Sequence, residues 1–114
     1  MIIPNHDKND YQNSLQELYD LLQKTYWIAS TIEAKDAING LAQAASEILT
    51  TLNQGELDTA TSQYTALKST IVRVNAKLQT VHAQVDGWIH AISVAAEVTE
   101  AIDKTVNLAT KVVK

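Results

Sequence analysis

The chain contains no cysteine, which excludes disulfides, thiolate zinc sites and cysteine nucleophiles together. One proline and three glycines in 114 residues are too few for a turn-rich β-sandwich, a collagen-like repeat or a proline-rich linker. Long hydrophobic runs are also missing. The longest stretches without Asp, Glu, Lys or Arg are the ten residues from Ala37 to Ser46 and from Gly87 to Ala96, about half a membrane span. The segment from Met1 to Asp10 lacks the apolar centre of a signal peptide, so a cytoplasmic setting is the expectation. Basic residues are in deficit, 9 against 13 acids for a net charge of −4, which disfavours a nucleic-acid partner.

What remains is helix. Apolar residues make up 46% and charged residues 19%, the balance of a folded chain rather than a disordered one. The length suits a single all-helical domain over residues 1–114, with the polar residues 1–9 as a flexible tail. The clearest punctuation is Asn53-Gln54-Gly55-Glu56, where glycine can adopt the left-handed conformation that ends a helix and Asp58 or Thr59 can cap the next.

From Leu57 onward the apolar residues follow a heptad. Leu57, Tyr64, Ile71, Leu78, Val85, Ile92, Thr99, Val106 and Val113 take position a. Ala60, Leu67, Val74, Val81, Trp88, Ala95, Ile102 and Ala109 take position d, and Thr99 alone is neither apolar nor aromatic. The phase runs through Asp86-Gly87, so the pattern favours one continuous helix. The first half carries two stripes out of phase: Tyr11, Leu15, Leu18 and Leu22, continuing to Tyr26 or Ala29, then Ala34, Ile38, Leu41, Ala45, Ile48 and Leu52. Between them Ser30-Thr31-Ile32-Glu33 has the form of a capping box.

The expected fold is therefore all-α, an antiparallel helical bundle. Its helices should run at about 10–31, 33–53 and 57–113, with a hairpin turn at 53–56. A break at 86–87 would turn the long hairpin into a four-helix up-down bundle. The first half is acidic and the second basic. A turn centred on Gly55 would set Arg73 near Asp36, Lys77 near Glu33 and Lys68 near Glu47.

Two features point outward. Beside the heptad, Ala91, Val94, Val98, Ala101, Thr105, Leu108 and Val112 form a second seam, and two seams need neighbours on two sides. Either these residues close a bundle core, or a second copy or a protein partner covers them. Trp27 shares an otherwise polar line with Asp20, Lys24 and Thr31, as an interface anchor or as cover for the edge of a core. The candidate partner-binding residues are Trp27, Val94, Val98, Leu108 and Val112.

Catalytic signatures are absent. His82, Asp86 and His90 recur every four residues, but the two imidazoles lie about 12 Å apart along the helix and cannot easily share one ion. No Glu-x-x-His pair of a di-iron bundle occurs, and Gly40, Gly55 and Gly87 are too isolated to form a phosphate loop. The expectation is a non-enzymatic protein, without cofactor or metal, that works by protein–protein interaction or self-association through apolar helix faces. The alternatives are a membrane-active protein that lays its C-terminal helix on lipid and a metal- or ligand-binding bundle.

Overall fold

The computed structural model describes residues 1–113. Among them four helices form: α1 (Asn5–Tyr26), α2 (Ile32–Leu52), α3 (Ser62–Trp88) and α4 (Ile92–Ala109). They run alternately up and down in a compact bundle of 44 × 21 × 20 Å. Among the described residues each helix backbone lies beside two neighbours, α1 beside α2 and α4, and α3 beside α2 and α4, and the side chains of all four meet in one core. This closed ring is what an all-antiparallel bundle with short connections produces.

The two stripes of the first half both point inward. Tyr11, Leu15, Leu18 and Leu22 of α1 and Ala34, Ile38, Leu41, Ala45, Ile48 and Leu52 of α2 are all buried. The loop between them replaces the end of the helix expected at 10–31. The expected capping box does not form: Thr31 is the N-cap of α2, its hydroxyl accepting from the Ala34 N–H at 3.0 Å. Ser30 is used elsewhere.

The segment expected as one helix over 57–113, or as two broken at 86–87, is two helices, which gives the four-helix up-down bundle. The heptad holds from Tyr64 to Val85, all of whose a and d residues are buried. Ile89 and Ala91 are then extended, which ends α3 beyond the expected 86–87 and re-phases α4. Ile92, an a residue, is exposed, and the buried stripe of α4 becomes Ala95, Val98, Ile102, Thr105 and Ala109, continuing to Val112. The carbonyls freed at the end of α3 are taken by the α1–α2 loop: Ser30 donates its N–H to the Trp88 carbonyl at 2.9 Å and its hydroxyl to that of Gly87 at 3.2 Å. The helix end is thus completed by a residue 57 positions away, and no local capping signal announces it.

The first nine residues do not form the expected flexible tail. Ile3 is fully buried and α1 starts at Asn5 after Pro4, whose missing N–H costs a helix nothing there. Met1 to Ile3 lie antiparallel to the α2–α3 connection: Ile3 N–H donates to Leu57 O at 2.7 Å and Thr59 N–H to Met1 O at 2.8 Å. Lys8 Nζ adds a bond of 2.8 Å to Gly55 O. Gly55 has φ of +121°, a conformation that side chains resist, and so fulfils its expected turn role. The connection then continues to Thr61, the N-cap of α3, instead of closing at 53–56. The longer loop shifts the α2–α3 register. Glu33 and Lys77 face one groove, yet among the described residues neither that pair nor Asp36–Arg73 closes an ion pair.

Polar groups enter the core at few places. Ser14 of α1 and Thr105 of α4 share a buried hydrogen bond of 2.8 Å, and Tyr64 donates its hydroxyl to Val112 O at 2.8 Å. The Tyr11 hydroxyl is buried without a partner, and burial pushes its pKa far above the usual tyrosine range.

Candidate interaction surface at one end of the bundle

The five residues expected to meet a partner divide sharply. Val98 and Val112 are wholly buried in the chain's own core, and Val94 and Leu108 are half-buried against it. The second seam is therefore consumed by folding: the turn at 89–91 rotates α4 so that alternate residues of both seams merge into one inward stripe. Val98 and Val112 are accordingly corrected from contact residues to core residues. Trp27 is the exception, at 76% exposed.

Trp27 is not alone. Ile28, Ile32 and Ile92 are 45%, 79% and 85% exposed. All four belong to one end of the bundle, Trp27 and Ile28 on the α1–α2 loop, Ile32 and Ile92 at the first residues of α2 and α4. The two Ser30 hydrogen bonds tie the α1–α2 loop to the end of α3 and so join these elements. Among the described residues, the other large exposed apolar side chains are Met1 and Ile2 at the opposite end and Val72 on α3.

Trp27 stands on a supported base. Its ring meets Tyr26 edge-on with centroids 5.3 Å apart, and Lys35 Nζ lies 5.4 Å from the Tyr26 centroid on the other helix. Exposed Glu33, Asp36 and Asp86 flank this end.

Ile28 and Ile32 carry a signal in the sequence. They are apolar residues that fall outside both inward stripes and beside Trp27. Ile92 carries none, because the heptad assigns it to the core and only the break at 89–91 turns it out.

The histidines do not converge. His82 Nε2 lies 3.1 Å from Asp103 Oδ1 across α3 and α4, and His6 Nε2 lies 3.3 Å from Asp10 Oδ2. Among the described residues no three His, Asp or Glu side chains come together as metal ligands, and no helix is long and apolar enough to cross a membrane. Comparison with known proteins finds no matching family model, no matching curated protein and no matching solved structure. Fold and surface together describe a four-helix up-down bundle with four large apolar side chains exposed at one end.

Proposed function

We propose that the chain works by binding another protein, without catalysis, and that the apolar end of the bundle is the contact surface. The gathering of Trp27, Ile28, Ile32 and Ile92 at that end carries the proposal. Single exposed apolar residues are ordinary on a protein surface, whereas a cluster of large ones marks an interaction site. Trp27, packed edge-on against Tyr26, has the size and exposure of an interface anchor. The acidic flank of Glu33, Asp36 and Asp86 would steer a basic partner toward it.

Site-specific photo-crosslinking tests this in cells that make the protein. A photoreactive phenylalanine analogue at position 32 is expected to give discrete crosslinked protein species, and the same group at Gln79, exposed on α3, is expected to give none. Identical patterns from the two positions, or adducts at position 32 to lipid alone, would overturn the proposal.

A further inference from the structure

The broad face formed by α2 and α3 carries a groove and a charge pattern that the bundle itself does not use. Along α2 this edge presents Glu33, Asp36, Ala37, Gly40 and Glu47, and along α3 it presents Gln63, Ala66, Thr70, Lys77, Thr80 and Gln84. Arg73 follows Thr70 on the same edge, one helical turn before Lys77. The part of the groove nearer the apolar end holds about 410 Å³. Its floor is open at Gly40, where an added Cβ would meet nothing within 4 Å. From Ser62 to Val85, α3 has no acid, while three acids lie on the facing edge of α2. Among the described residues, Glu33, Asp36, Glu47, Arg73 and Lys77 close no ion pair within 4.0 Å. The α2 edge is thus negative and the α3 edge positive, side by side on one surface.

Such a surface is complementary to itself. We propose that two copies of the chain pair through their α2–α3 faces, related by a two-fold axis that runs along the bundle. That rotation lays α2 of each copy on α3 of the other and preserves height. The partner's Glu47 then comes level with Thr70, one turn from Arg73, and the partner's Asp36 comes level with Thr80 and Gln84, one turn from Lys77. The alternative two-fold, across the bundle, would set acid on acid and base on base, which charge disfavours. Size agrees. The broad face is at most about 44 by 21 Å, an upper bound that accommodates the roughly 800 Å² per copy of a standard stable interface. The end of the bundle, 21 by 20 Å, offers about half of that and is too small for a stable end-to-end dimer. Small residues at Ala37, Gly40 and Ala66 let the two backbones approach.

The axis has a geometric consequence: both apolar ends point the same way and lie side by side. Because the chain lacks cysteine, a single spin label at His90→Cys reads this directly. Label-to-label distances of about 20–30 Å are expected for ends side by side, against more than about 40 Å for ends pointing apart.

Sedimentation equilibrium at low ionic strength, from micromolar to several hundred micromolar protein, is the primary test. The wild type is expected to dimerise and to dissociate progressively with salt. Arg73→Glu is expected to raise the dimer Kd at least about tenfold, and Arg73→Glu with Glu47→Arg to return it to within about threefold of wild type. Circular dichroism melting of each variant confirms that these exposed substitutions leave the fold in place. A wild type that stays monomeric throughout, a dimer indifferent to Arg73→Glu, or label distances beyond about 40 Å would each overturn the proposal. At position 32 an adduct of two copies of the chain reports the dimer and an adduct with a different protein reports the apolar-end contact, so failure of the dimer leaves the apolar-end proposal standing or falling by itself.

Discussion

The hydroxyls of Ser14 and Thr105 meet at 2.8 Å inside the α1–α4 interface, each the other's partner in the middle of an apolar core. Removing one strands the other. Ser14→Ala is therefore expected to destabilise the bundle by about 1–3 kcal/mol, whereas Ser14→Ala with Thr105→Val should lie close to wild type. A double-mutant cycle by urea denaturation gives the coupling. Additive single effects would show that the bond contributes nothing specific.

Tyr11 presents the opposite case, a buried hydroxyl with no partner. Tyr11→Phe removes an unsatisfied group and keeps the ring, and it is expected to stabilise by about 1 kcal/mol. The pH dependence follows from the raised pKa. The unfolded chain releases this proton near pH 10 while the native state retains it. The group therefore adds no pH dependence below about pH 10, and above it stability falls as pH rises. Denaturation at pH 9 and pH 11 is expected to show a loss in wild type that is smaller in Tyr11→Phe.

Gly40 sits mid-helix in α2 with open space where a Cβ would go and with no left-handed backbone to preserve. Gly40→Ala should raise stability by about 0.5–1 kcal/mol through helix propensity and a less flexible unfolded chain. A lowered thermal midpoint would mean that the groove closes over this position.

The N-terminal strap is expected to be structural. Ile3 is fully buried, and Ile3→Ala should cost about 2–5 kcal/mol. Asp58 anchors the other side, its carboxylate accepting from Ala60 N–H at 3.0 Å and lying 3.5 Å from the N-terminal ammonium. The Ala60 hydrogen bond first, and the ammonium charge after it, hold the Asp58 pKa below its usual value. The stabilisation is present above about pH 4 and is lost as pH falls through the depressed value. Asp58→Asn is expected to flatten the acid limb of an unfolding titration between pH 5 and pH 2, and an unchanged limb would contradict the assignment.

Helical content, antiparallel packing and most core residues were legible because they depend on periodicity, which each helix carries in its own sequence. What escaped were features completed by distant residues. The end of α3 is capped by Ser30, the start of α1 is pinned by Leu57 and Asp58, and the α2–α3 register follows from a loop lengthened to meet the N-terminus. Asp86-Gly87 marked where the long helix could break, but the heptad passes through undisturbed, so the change of phase that the extended Ile89 and Ala91 impose left no trace. The change of phase across that break explains why Val98 and Val112 looked outward and Ile92 looked inward. Trp27 was legible because a lone indole on a polar line is conspicuous whatever the helix boundaries.

Ser30 does more than finish a helix. By clasping the backbone at Gly87 and Trp88, it makes the rim around Trp27 and Ile92 one preorganised plate instead of two independently swinging loops. A ligand captured there would forfeit less conformational entropy on docking, since ordering each mobile side chain costs about 0.5–1.5 kcal/mol and the clasp has already restrained the backbone that bears them.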